Sequence, residues 1–175
     1  MQVLSRQRGV SLIEVMMAVL IFSIGLIGLA GLVVMSTRSN HAAYLRTQVT
    51  FLAGNMADRM SANPAGVWKG SYNSAYPVAA ATVGCGSGAA CNSAGLAVHD
   101  QQLWSSQLKT FLPNPIATIA CDGVTKAGYD PTPQLAMRPP YGGNCIMTIK
   151  WSERDAGDAT HRGNLTQNFI WKFQP

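Results

Sequence analysis

Charge is scarce in this 175-residue chain, where Asp, Glu, Lys and Arg together make up 12% against 47% apolar residues. The shortage is local. From Val15 to Met35, 21 consecutive positions carry no charge, and roughly 20 residues of helix cross the hydrocarbon core of a bilayer. Without that run the remainder reads as an ordinary polar, loop-rich domain. Proline is missing before Pro64, so nothing of that kind interrupts a helix over the N-terminal third. No C-x-x-C pair occurs, and His41, His99 and His161 lie far apart in sequence, which speaks against zinc. There is no nucleophile–base pairing, no supported carboxylate pair and no glycine-rich phosphate loop. An enzyme is therefore not expected, and neither a metal nor a cofactor is implied. Internal repeats are absent, and the length allows one globular domain plus a long anchor.

The formal charge of +5 falls to +3 without residues 1–9, because Arg6 and Arg8 precede the apolar run and leave 11 Lys+Arg against 8 Asp+Glu. A pI near 9.2 then describes a mildly basic solvated surface. Arg6 and Arg8 beside an apolar run place the N-terminus in the cytoplasm and the rest beyond the membrane. A cleaved secretory signal is the first alternative. Its apolar core is typically about 7–15 residues and is followed by a small-residue cleavage site, whereas this run is longer and continues into more helix. All four cysteines, Cys85, Cys91, Cys121 and Cys145, lie beyond the run. An even count in an exported domain favours two disulfides. Three pairings are possible and the sequence does not choose among them; Cys85–Cys91 with Cys121–Cys145 is favoured because each pair closes a separate loop.

After Met35 the pattern narrows to one stripe. Leu45, Val49, Leu52, Met56 and Met60 recur at steps of three and four, one face of a helix, while Arg38, Asn40, Arg46, Gln48, Asn55, Asp58 and Arg59 take other faces. Asn63-Pro64 with Gly66 is a stop signal. The spacing predicts one helix from Leu12 to Ala62, about 75 Å long. Residues 64–92, rich in Gly, Ala, Ser and Asn, predict a long loop. A second helix is expected over 94–112, with Asn92 or Ser93 as cap, with Leu96, Leu103, Trp104, Leu108, Phe111 and Leu112 mostly on one side, and with Pro113 and Pro115 beyond it. Strands are expected over 116–121, 145–151 and 165–173. Met147, Ile149 and Trp151 alternate with Thr148 and Lys150, and Phe169, Trp171 and Phe173 keep step. Asp122 to Asn144, dense in proline and glycine, predicts a loop. Ser152 to Asn164 predicts a charged one, in which Glu153, Arg154, Asp155, Asp158, His161 and Arg162 are solvent-exposed. An antiparallel sheet turning its aromatic face to the Leu45–Met60 stripe satisfies both surfaces.

Glu14 is the informative residue, a carboxylate near the start of an apolar helix. On insertion scales a carboxylate at a helix centre costs about 2.5–3.5 kcal/mol, and less near the interface. A position shallow enough to reach the headgroups accommodates it in a free monomer but does not account for its presence. Arg8-Gly9-Val10-Ser11-Leu12-Ile13-Glu14 resembles the type IV prepilin signature: a short basic leader, Gly, an apolar residue, Ser or Thr, Leu, an aliphatic residue and Glu, then the long apolar helix. The resemblance implies cleavage between Gly9 and Val10 by a membrane prepilin peptidase and N-methylation of Val10, where the family more often has Phe. It implies an α+β pilin fold in three parts: a leader (1–9), a membrane and assembly half-helix (10–35) and a globular domain (36–175). Glu14 lies about 6 Å along the helix from the new amine. In a bundle it can pair with a neighbouring subunit's amine and fix axial register.

Two further stretches, Ile24–Leu32 and Met56–Pro64, resemble the minor pilins known as type IV pilus modification proteins (PilV). Trp104, Leu112-Pro113 and a strand ending at Trp151 also fit that group, though loosely. The type II secretion pseudopilins share the leader and the Glu14 position but not the Asp58-Arg59 stretch as written; structurally, Asp58-Arg59 can also be a solvated face at the helix end. Gly25, Gly28 and Gly31 read either as sites of close helix contact or local unwinding, or as glycine that membrane helices tolerate. Lys150, Arg154, Arg162 and Lys172 interleave with Trp151 and Trp171, a pattern that suits nucleic acid but is more often tryptophan in a core; DNA is thus a minor expectation.

The resulting expectation is a minor pilin subunit, single-pass in the inner membrane and bathed in its lipid before assembly. Afterwards it belongs to a periplasm-spanning pilus with other major and minor pilins, supporting assembly, twitching motility or adhesion. The alternatives are a secretion pseudopilin and a single-pass periplasmic binding domain that never polymerises.

Overall fold

A computed structural model describes residues 9–81, 85, 91–128, 130–154 and 164–175. The basic leader residues Arg6 and Arg8, and Asp155, Asp158, His161 and Arg162 of the expected charged loop, lie outside the described residues. The chain forms two compact units, Met1–His41 and Ala42–Pro175. Helix α1 (Leu12–Ala62) contributes to both. It ends where the sequence predicts, because Pro64 disfavours helical backbone at Asn63, and Asn63 sits at φ −127° and ψ 58°.

Within the second unit, α1 packs on a four-stranded antiparallel sheet, an α+β pilin-like arrangement. The sheet order is β1 (Ser74–Tyr76), β2 (Ile116–Cys121), β3 (Cys145–Arg154), β4 (Asn164–Phe173). Leu45, Val49, Leu52, Met56 and Met60 are all buried, joined by Ala53 and Ala57. Alternation along β3 sends Met147, Ile149 and Trp151 into the same core, and Phe173 enters it from β4 with Phe169 and Trp171 packed alongside. The register places Met147 opposite Trp171 and Ile149 opposite Phe169, which lines the aromatic side chains up beneath the helix.

Helix α3 (Ser93–Phe111) starts at Asn92, whose side chain accepts from the Gly95 N–H at 2.8 Å. Its buried face is Ala97, Asp100, Gln101, Trp104, Ser105 and Leu108, and Leu112 is buried just beyond it. That corrects the expected apolar side: Leu103 and Phe111 turn outward and Leu96 is only half-buried. The reason is polar. Asp100 and Gln101 have partners on the facing elements, so the face that buries best is not the most apolar one. Trp104 anchors the helix, donating its indole N–H to the Leu52 carbonyl of α1 at 2.8 Å and setting its ring edge-on to Tyr76.

The two long loops also need correction. Residues 64–92 contain α2 (Pro64–Trp68) and strand β1, and residues 122–144 contain α4 (Val124–Ala127) and a 3₁₀ helix (Thr132–Met137). Aromatic anchors order these stretches. Trp68 lies edge-on to Tyr141 at 4.7 Å between ring centroids and donates to the Pro139 carbonyl at 3.1 Å. Buried Tyr141 hydrogen-bonds through its hydroxyl to the Asp122 carbonyl. The expected charged loop also needs correction at its start: Ser152, Glu153 and Arg154 complete β3, and Glu153 is buried rather than exposed.

Candidate processing and assembly site

Gly9 and Val10 are exposed and precede the helix without regular structure. Ser11 follows, and its carbonyl accepts from the Glu14 N–H at 3.1 Å and the Val15 N–H at 3.3 Å, closing the first turn of α1. Ser11 and Glu14 stand at the Ser-x-x-Glu spacing of a capping box, a signal for the helix start that the sequence reading did not use. Glu14 is exposed in that first turn, where the positive end of the helix dipole favours a carboxylate. Helix α1 carries a stretch long and apolar enough to cross a membrane, and none of that stretch is buried. Large side chains from Leu12 through Met35, among them Ile13, Leu20, Phe22, Ile27 and Leu32, stand open. A side chain at Gly25, Gly28 or Gly31 would meet nothing within 4 Å, so nothing among the described residues calls for glycine there.

Away from that segment, a polar network joins α1, α3 and β1 of the second unit through Asn63 and Tyr72 between them. Arg59 of α1 forms an ion pair with Asp100 of α3 at 3.0 Å and donates through Nε to Asn55 Oδ1 at 2.8 Å. The Tyr72 hydroxyl donates to the other Asp100 oxygen at 2.8 Å. Asn63 Nδ2 donates to the Tyr72 hydroxyl at 3.1 Å and to the Ser93 carbonyl at 2.8 Å, and the Tyr76 hydroxyl donates to the Tyr72 carbonyl at 2.8 Å. Burial pushes the Tyr72 pKa well above the ordinary tyrosine value; the Asn63 hydrogen bond opposes that rise, and the Asp100 carboxylate adds to it. Burial likewise raises Tyr76.

Arg59 and Asn63 both belong to the stretch Met56–Pro64. The reading of Asp58-Arg59 as a solvated face therefore holds for Asp58 alone, which is exposed. Asp100, Tyr72 and Tyr76 were missed. A sequence signal for Asp100 was present: it sits at helical spacing between Ala97 and Trp104, an acid on an otherwise burying face.

The cysteines pair as Cys85–Cys91 and Cys121–Cys145. The second bond joins directly opposed residues of β2 and β3, and no free thiol remains among the described residues. Among the described residues the basic aromatic surface is not assembled. Strand alternation puts Lys150 and Lys172 on the exposed sheet face, while Trp151 is buried and Trp171 packs against the core. The side chain of Arg154, like Arg162, lies outside the described residues.

Residues 4–30 match the family model described as the prokaryotic N-terminal methylation motif. The motif supports a type IV pilin-like family. It covers Gly9, Val10, Glu14 and most of the apolar run, and together with the apolar helix it fits a structural, membrane-anchored pilin-type protein. No curated protein and no solved structure matches the chain.

Proposed function

We propose that this pilin-like chain is a minor pilin that enters a type IV pilus and modifies or initiates it. A prepilin peptidase cuts between Gly9 and Val10, Val10 is N-methylated, and the free amine and Glu14 become partners between neighbouring subunits. Before assembly the protein is single-pass in the inner membrane with its N-terminus in the cytoplasm. Afterwards the 10–35 segment lies in a bundle with other major and minor pilins, and the globular unit faces the periplasm or the exterior, where it supports twitching motility or adhesion.

One observation carries this reading: the methylation motif at residues 4–30 runs directly into a helix that exposes a membrane-length apolar surface broken by a single acid. Lipid covers that surface in a monomer and neighbouring helices cover it in a filament. Burying the acid among helices is costly unless a cation meets it, and the amine created four residues earlier supplies one. The finer assignment to the minor pilins rests on the Met56–Pro64 stretch, whose Arg59 and Asn63 hold α1 to its covering domain.

Mass spectrometry of the protein from its native envelope tests the processing. A chain starting at N-methylated Val10 is expected; one still starting at Met1, or lacking the whole apolar run, overturns the proposal. Recovery from sheared pili separates a pilus subunit from a secretion pseudopilin.

A further inference from the structure

We propose that the open edge of β4 and the cleft beside it form a docking site for an extended, acidic segment of another polypeptide. The inference uses residues 42–175 alone, so it stands or falls separately from processing behind Gly9.

Strand β4 runs ten residues, Asn164–Phe173, and is the outermost strand, paired only with β3 among the described residues. In an antiparallel pair, alternate residues turn their N–H and C=O groups away from the partner. An outermost strand therefore presents an unpaired row that templates further pairing. The other edge, β1, is three residues long and offers little. Strand edges are usually blunted by proline, charge or shortness. Yet β4 has no proline, and Lys172 near its end is its one charged residue.

Beside the strand lies a cleft of about 260 Å³, between Arg46, Val49 and Thr50 of α1 and residues 167–169 of β4, with Trp151 of β3 also lining it. Its chemistry is specific. Trp151 is 4% exposed, and its indole N–H is buried with no acceptor among the described residues. Arg46 is the one ionisable side chain in the lining. Glu153, two residues further along β3, is buried with one carboxylate oxygen unpartnered but does not line the cleft.

An edge that needs backbone donors and acceptors, beside a recess sized for a side chain and bearing the exposed Arg46 guanidinium, fits one occupant. That occupant is an added strand, whose every second side chain faces the cleft and one of which is acidic. Backbone pairing supplies the attachment, and the carboxylate supplies the register.

The test uses the full chain in detergent micelles and a capped heptapeptide of alternating threonine and valine with a central glutamate. Binding is followed by anisotropy, and β4 by amide hydrogen exchange. The glutamate peptide is expected to slow exchange in β4 by about tenfold, and a peptide with its backbone N-methylated along one edge is expected to lose binding. Arg46 is exposed, so Arg46→Glu leaves the fold intact and is expected to shift preference toward a central-lysine peptide by roughly fivefold. Four results overturn the proposal: binding without protection of β4, a preference indifferent to Arg46→Glu, no binding at millimolar peptide, or protection that grows with protein concentration in the absence of peptide, which assigns the edge to self-pairing.

Discussion

Asp100 shows how one side chain decides the arrangement around it. Only 5% of it is exposed, yet it meets Arg59 and Tyr72 directly. A buried charge is tolerated only when its lone pairs are met, so α3 must present this residue to α1 even though Leu103 and Phe111 are left outside. The same network carries a pH dependence. Tyrosine in an unfolded chain ionises near pH 10, while burial raises both Tyr72 and Tyr76 above that value. Below about pH 10 both states hold the phenolic protons and the stabilisation is whole. Above it the unfolded chain has released protons that the folded chain keeps, so stability falls as pH rises toward the folded values. Tyr76→Phe deletes one titrating group and its bond to the Tyr72 carbonyl. The unfolding free energy from denaturant titration is expected to drop by about 1 kcal/mol at neutral pH and to decline less steeply than wild type between about pH 10 and 11. An unchanged alkaline slope contradicts this account.

Elements differ in what specifies them. Helix α1 and strands β2, β3 and β4 are specified by their own residues: an unbroken apolar run, a stripe at steps of three and four, and alternation ending at cysteine or aromatic positions. They were legible for that reason. Elements α2, β1, α4 and the 3₁₀ helix are short, and their cause lies elsewhere in the chain, in the Trp68–Tyr141 contact and in Asn63, which binds Tyr72 and the Ser93 carbonyl together. No local pattern announces such a cause. The candidate site divides the same way: Gly9, Val10 and Glu14 stand in one contiguous motif, whereas the Arg59–Asp100 pair joins residues 41 apart.

The junction of α1 with α2 is where the distant cause is most concentrated. Asn63 caps α2 by accepting from the Gly66 N–H, and a Cβ on Gly66 would lie 2.4 Å from Asn63 Nδ2 and 3.1 Å from the Ser93 carbonyl oxygen. The helix backbone is compatible with alanine there; the space is not. Gly66→Ala is therefore expected to destabilise the unit by about 1–3 kcal/mol, although the same change at an open helical site raises stability. Thermal denaturation of the two proteins decides the sign, and a gain in melting temperature overturns the packing argument.

At the scale of the molecule, the folded core and the proposed assembly residue lie apart. The core cluster that includes Leu45, Met56, Trp104 and Ile149 lies entirely within residues 42–175, while Glu14 and the open apolar side chains belong to the other unit. On the proposed pairing with a neighbouring amine, Glu14 does nothing for the folded core, so a variant can remove one property and spare the other. Glu14→Leu is expected to leave denaturation of the disulfide-bonded unit unchanged and to raise membrane retention. Its level in sheared filaments is expected to fall by about tenfold, the effect of some 1.4 kcal/mol in register energy. Gly66→Ala is expected to do the reverse in part, lowering the melting temperature while its surviving folded fraction still enters filaments. Quantifying both variants in membrane and filament fractions separates the two effects. Normal incorporation of Glu14→Leu refutes the amine–carboxylate pairing, because an apolar side chain then serves as well as the acid.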